Sequence, residues 1–261
     1  MGVGGYLITS PSLGWCTKSN SKQNHKPMKI KKTLILFKTF LLVAFVITWT
    51  SCSTGDDTEE SIPTPDNPVA YTFCPDSHHP HMIDLGLPSG TKWACCNVGA
   101  SKPEDYGGYY AWGETKEKSR YDYSTYIHCD GSYETCHDIG NDIAGTQYDA
   151  ATANWGSAWV MPSLEQMNEL KGKCTSMWTT ENGINGIRFT ASNGASIFLP
   201  AAGYRWGGVL GYAGSKGGYW SSTLYESYNS HACDLYFLSG DVYMNDYSRE
   251  YGQSVRPVHG K

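Results

Sequence analysis

Apolar positions along the chain follow three rhythms. Residues 34–47 form one apolar run broken only by Lys38 and Thr39, with Lys29, Lys31 and Lys32 before it and small Thr50 and Ser51 after it. That run is short for a membrane span, which needs about 20 apolar residues. Helical spacing appears next. Leu164, Met167, Leu170 and Cys174 share one face of a helix over 163–173, with Ser163 as cap and Gln166 completing a capping box. An Ala-rich stretch, 148–154, predicts a weaker helix before it. Everywhere else the pattern is strand and turn. Residues 83–94 predict strand, turn, strand around Pro88-Ser89-Gly90. Residues 106–113 read as a short buried strand or loop, and 116–140 as a long polar excursion. Residues 186–192 and 195–199 flank Asn193-Gly194, which suits a two-residue type I′ turn. A second hairpin pairs 232–238 with 242–245 around Ser239-Gly240-Asp241, and 254–258 predicts a closing strand. Two helices followed by a series of strands make an α+β domain.

The front of the chain has the order of a secretory signal: basic, apolar, then small residues. The signal occupies 28–51. Residues 1–27 precede it without apolar periodicity, so Met28 reads as the true start and 1–27 as a misassigned extension. A genuine long basic region is the alternative. Residues 52–80 are acidic and Pro-rich with few large apolar groups, as expected of a disordered tether. The globular domain then spans 81–261.

Charge changes the picture only after this division. Seven of the 20 basic residues precede Cys52 and all 25 acidic residues follow it, so the exported part has 13 against 25, a net −12. Such a surface repels phosphate backbones, and nucleic acid is excluded as a partner. Beyond Cys16 and Cys52 lie seven cysteines: 74, 95, 96, 129, 136, 174 and 233. An odd number leaves at least one thiol or an intermolecular bridge. His128-Cys129 and Cys136-His137 bracket a small loop. A disulfide between Cys129 and Cys136 is expected outside the cytoplasm, and a zinc site is the alternative. His78-His79-Pro80-His81 reads as a solvated segment rather than a metal site, and no cofactor is expected.

Two resemblances sharpen this reading. Cys52, directly after its small pair, resembles the lipidated first residue of bacterial lipoproteins, with Trp49 standing where that motif has Leu or Val. Seven segments in one order are similar to the Fibrobacter succinogenes major paralogous domain family: Asp84-Leu-Gly-Leu-Pro-Ser-Gly-Thr-Lys-Trp-Ala, Cys96-Asn-Val-Gly-Ala, Tyr109-Tyr-Ala-Trp-Gly-Glu, Met161-Pro-Ser-Leu-Glu-Gln, Ile197-Phe-Leu-Pro-Ala-Ala-Gly, Tyr219-Trp-Ser-Ser-Thr and Gly252-Gln-Ser-Val-Arg-Pro-Val. They cover 83–258. The closing segments are similar to the C-type lectin-like fold. The resemblance implies a single lectin-like domain with two short helices and a twisted, mainly antiparallel sheet. It also implies an outer-membrane, surface-exposed lipoprotein that touches the membrane through its lipid alone.

Functional residues are sought in the last stretch. Tyr225, Ser227, Tyr228, Asn229, His231, Tyr243, Asn245, Asp246, Tyr247 and Ser248 have the Tyr/Ser/Asn/Asp chemistry of paratopes. Antiparallel pairing is expected to make 225–231 and 243–248 neighbours, forming a face for an extracellular protein or glycan. The alternative is that the alternating tyrosines pack into the core. The calcium motifs of true C-type lectins, Glu-Pro-Asn and Trp-Asn-Asp, are missing. So are Gly-x-Ser-x-Gly, His-Glu-x-x-His, a P-loop and a dinucleotide fingerprint. The chain is therefore read as a non-enzymatic binding or adhesion protein. An envelope enzyme acting on glycan or peptide, and a structural surface-assembly subunit, are the alternatives.

Overall fold

A computed structural model describes Cys74 and residues 81–260. The expected signal over 28–51, Cys52, residues 1–27 and the expected tether apart from Cys74 lie outside the described residues. In chain order the strands are β1 (Met82–Asp84) and β2 (Lys92–Ala94), then helix α1 (Ala150–Trp155), β3 (Trp159–Val160) and helix α2 (Leu164–Lys173). Nine further strands follow: β4 (Thr175–Glu181), β5 (Ile184–Thr190), β6 (Ser196–Pro200), β7 (Tyr204–Trp206), β8 (Val209–Gly211), β9 (Lys216–Leu224), β10 (His231–Leu238), β11 (Asp241–Ser248) and β12 (Val258–His259). The domain is α+β. Its strands form four separate sheets, of order β1-β2-β12-β3, β11-β10-β9, β4-β5-β6 and β7-β8, with every ladder antiparallel. The first hairpin thus pairs with the last strand. None of the helices among the described residues is long and apolar enough to cross a membrane.

Both expected helices form, for the expected reasons. In α2 the Ser163 hydroxyl accepts from Gln166 N, the Gln166 amide accepts from Ser163 N, and Leu164, Met167 and Leu170 are buried. They pack on a core that includes Trp93, Phe189, Leu199, Leu235 and Phe237. Truncating Leu170 to Ala would cost about 2–5 kcal/mol. Helix α1 begins two residues later than the pattern suggests, because Asp149 caps it. One Asp149 oxygen accepts from Ala151 N and Thr152 N, and the other from Gly145 N and Met161 N. A single buried carboxylate thus satisfies four backbone donors, at the helix start and in two flanking loops.

Three sequence expectations are corrected. The connection from β5 to β6 is not a type I′ turn. Of Asn193 and Gly194 only Gly194 is left-handed, with φ 84°. Gly194 N donates to Ala191 O and Ala191 N to Ala195 O, which makes a three-residue loop closed by a glycine bulge. Asn193 has no need of positive φ because its amide is already used: it accepts from Ala195 N at 2.9 Å and donates to Asp84 O at 3.1 Å. The next hairpin turns in two residues, Ser239-Gly240, since Leu238 pairs with Asp241, and β11 runs on to Ser248. The closing segment is mostly irregular, with a ladder only at Val258–His259.

The 116–140 excursion is polar in composition yet firmly anchored. Tyr121 and Tyr126 are buried, and their hydroxyls donate to Tyr109 O and Trp112 O, each at 2.6 Å. Burial satisfies both the ring and its hydroxyl, which is what tyrosine offers that phenylalanine does not.

Candidate functional site

β10 and β11 carry two different faces. Leu235, Phe237 and Met244 point into the main core beneath α2. Strand alternation therefore puts Ala232, Asp234 and Tyr236 on the opposite side, with their partners Tyr247, Asn245 and Tyr243. β9 can lie flat against β10 because of its glycines. A Cβ on Gly217 would sit 2.2 Å from the Phe237 ring, and one on Gly218 would sit 2.7 Å from the Gln253 amide oxygen.

On that second side the rings form one continuous cluster, in which Tyr204 and Tyr236 are buried. Tyr204 on β7 is the hub, with centroids 5.4 Å from Trp206, 5.4 Å from Tyr212, 5.1 Å from Tyr247 and 6.0 Å from Tyr251. Tyr236 lies 5.3 Å from Tyr243 and stacks on Tyr247 at 6.3 Å. Trp206 and Tyr212 stack at 5.8 Å, and the Lys216 ammonium stands 3.9 Å from the Tyr212 centroid. The Tyr247 hydroxyl donates to the Tyr204 hydroxyl at 3.1 Å. The β7–β8 hairpin brings this surface to solvent: Tyr212 is 47% exposed, and Val209 and Leu210 are exposed beside it. Tyr212 also has φ 61°, a left-handed conformation that bulky residues rarely adopt.

Beneath the rings lies a buried polar group. Asp234 is fully buried, and neither carboxylate oxygen has a hydrogen bond of ordinary geometry. The Gln253 and Asn245 amides are its polar neighbours. Burial holds the Asp234 carboxyl well above the usual carboxylate range, and burial likewise pushes Tyr236 and Tyr243 up to about 12. The rings are therefore neutral, and the cluster offers flat apolar area and hydroxyl groups rather than anionic charge.

The predicted site residues do not form one patch. Ser248 pairs with His231 and Tyr247 with Ala232, but Tyr243 pairs with Tyr236. Tyr243 therefore sits five residues, or about 17 Å, along the strand from Ser248. Tyr243, Asn245 and Tyr247 face the aromatic side, whereas Asp246 and Ser248 face the other. Asn245 is buried, with its amide donating to Asp246 O. Tyr225, Ser227, Tyr228 and Asn229 gather in the loop before β10. Tyr228 is 61% exposed and its ring lies 6.0 Å from Tyr225 and 5.7 Å from His231. His231 Nε2 bonds the Ser248 hydroxyl at 3.1 Å, and burial holds its pKa below the usual imidazole range.

This loop rests on the excursion. Cys129 and Cys136 are joined as a disulfide. Their neighbouring imidazoles bind elsewhere: His128 donates to Gly113 O at 2.9 Å and His137 meets Asp130 at 3.0 Å. The fully buried Arg249 links the two segments, donating to Tyr126 Oη, His137 O and Asn229 O, with its guanidinium 4.8 Å from the Trp112 ring. A metal-ligand grouping among the described residues lies outside both surfaces, at Cys74, His81 and Cys95. A pocket of about 490 Å³, lined by Lys171, Ser176, Trp178, Ile187 and Asp241, also lies apart from the aromatic face.

Sequence reasoning missed Tyr204, Trp206, Tyr212 and Lys216. The available signal was the alternation Tyr204-Arg205-Trp206, which places both rings on one side of a strand.

Residues 173–258 match a family described as a domain of unknown function, DUF8237. The match runs from the end of α2 to the start of β12, so it contains the whole aromatic face. No curated protein and no solved structure matches the chain.

Proposed function

We propose that the protein is a surface-anchored lipoprotein that captures an extracellular protein or glycan on the aromatic face of a C-type lectin-like domain. The observation that carries this reading is the continuous set of neutral rings from Trp206 and Tyr212 through Tyr204 to Tyr236 and Tyr243, opening to solvent beside exposed Val209 and Leu210. Flat aromatic area gives contact at low entropy cost, and rigid rings are pre-organised for it. A sugar ring can lay its C–H face on such a surface, and a protein epitope can bury apolar side chains against it. The strained, exposed Tyr212 supports the same reading, since a smaller residue would satisfy its backbone better. The lipid anchor at Cys52 rests on the basic, apolar and small-residue order before it. The decisive experiment is to probe glycan and protein arrays with the detergent-solubilised full chain and with a Tyr212→Gly variant. Capture by the wild type that the variant loses supports the face; equal capture by both removes it.

A further inference from the structure

The β1–β2 hairpin holds a grouping that the aromatic face does not use. Its register pairs Met82 with Ala94, so the next residues outward, His81 and Cys95, are cross-strand neighbours, and Cys95 N donates to His81 O at 2.9 Å. Their side chains meet as well, with Cys95 Sγ 3.5 Å from His81 Nδ1. Cys74, although the sequence pattern assigns it to the tether, is buried here with Cys95, Cys96 and Ala100. The ligand atoms of Cys74, His81 and Cys95 all lie within 4.8 Å of one another.

We propose that Cys74, His81 and Cys95 bind a zinc ion that fastens the incoming chain to the edge of the domain. In a tetrahedral zinc site with Zn–S of about 2.3 Å and Zn–N of about 2.0 Å, sulfur and nitrogen ligands stand about 3.5 Å apart, the spacing of Cys95 Sγ and His81 Nδ1. Two thiolates and a neutral imidazole are a donor set that zinc favours over magnesium or calcium. Cys96 lies against Cys95 and donates to Ala100 O at 3.7 Å. The backbone that carries Cys95 is held in place, because the buried Arg256 guanidinium donates to Cys95 O at 3.0 Å and to Ala94 O at 3.2 Å. Binding releases the two thiol protons and leaves the oxidation state of sulfur unchanged. Cys129 and Cys136, by contrast, are bridged to each other.

The test is metal analysis of the full chain, purified from its envelope and dialysed against trace zinc. Near-stoichiometric zinc is expected, exchangeable for cobalt with a thiolate-to-cobalt absorption band in the near ultraviolet. Cys95→Ser and His81→Ala should each weaken zinc binding at least tenfold, while a Cys129→Ser/Cys136→Ser chain keeps it. Should Cys95→Ser not fold, the half-exposed His81→Ala decides. Folded wild-type chain without bound metal, a cobalt band that survives His81→Ala, or recovery of a Cys74–Cys95 disulfide from exported protein would each overturn the proposal. None of these outcomes bears on ligand capture by the aromatic face.

Discussion

Asn229 donates through Nδ2 to the carbonyl oxygen of Cys136 at 2.7 Å, across 93 residues of chain. The exposed loop that enters β10 is therefore seated on the disulfide-closed tip of the polar excursion. Arg249 reinforces the seat from below by donating to Asn229 O and His137 O. Order in the one loop thus depends on closure of the other.

Opening the disulfide should show this dependence. Closing a loop of this length stabilises the fold by about 2–3 kcal/mol through the unfolded chain. A Cys129→Ser/Cys136→Ser chain should lose about that much, measured by denaturant unfolding. Amide exchange over 225–231 should quicken as well. Stability loss without faster exchange in that loop would mean the two segments are not coupled.

Arg249 is buried and gathers four oxygen acceptors, the Tyr126 hydroxyl, His137 O, Asn229 O and Asn229 Oδ1, while lying against Trp112 and Tyr126. Arg249→Ala leaves those acceptors and a cavity unfilled, so a loss of about 3–5 kcal/mol is expected. Arg249→Lys should recover only part of it, because an ammonium cannot reproduce the planar fork. Thermal melts of the two variants check this, and equal stability of Lys and Arg at this position would contradict it.

Glu250 sets a pH dependence. Burial raises its carboxyl from 4.5 to about 7, with Asp122 adding to the rise and the Tyr123 hydroxyl and Lys118 opposing it. The folded state holds the proton more tightly than the unfolded state. The stabilisation is fully present below pH 4.5 and is lost as pH rises through about 7, amounting to on the order of 3 kcal/mol. Asp234, with its carboxyl also raised by burial, contributes in the same direction. Glu250→Gln should flatten this fall between pH 4.5 and 7 and stabilise the chain above it. An unchanged pH profile in that variant would assign the dependence to another group.

Tyr212 separates binding from folding. Its φ of 61° disfavours any side chain, and its ring is nearly half exposed. Tyr212→Gly relieves the backbone and should leave stability within about 1 kcal/mol of wild type. Ligand capture should fall at least tenfold. Tyr236→Ala, a buried ring, should instead cost about 3–5 kcal/mol. Capture that survives Tyr212→Gly would move the binding surface to the loop around Tyr228.

Cys52 lies outside the described residues and carries the anchoring prediction. Cys52→Ala should remove fatty-acid labelling and release the chain from the membrane fraction with its melting temperature unchanged. Continued labelling would place the lipid elsewhere.

The elements legible in the sequence were those built from local rules. Helix α2 follows from Ser163, Gln166 and three apolar residues at helical spacing, none of which needs a distant partner. Strand β4 was invisible because Thr175–Glu181 is an edge strand with only Trp178 packed on the core, so it shows no apolar alternation. Strand β9 was hidden by Gly217 and Gly218, which weaken a strand pattern and make sense only with Phe237 and Gln253 lying against them.

The candidate site divides in the same way. The chain's own pattern determined that tyrosines would be concentrated near the end of the domain and that Cys129 could reach Cys136, since both follow from composition and short separation. It could not decide which tyrosines meet. Pairing Tyr243 with Tyr236 rather than with the 225–231 loop is a matter of strand register, and register is settled by which face the core claims. The same holds for Tyr204 and Tyr212, brought to Tyr247 and Lys216 by a hairpin whose own residues give no sign of that destination. Local sequence specifies short-range geometry, whereas contacts between distant segments are chosen by the burial of everything else.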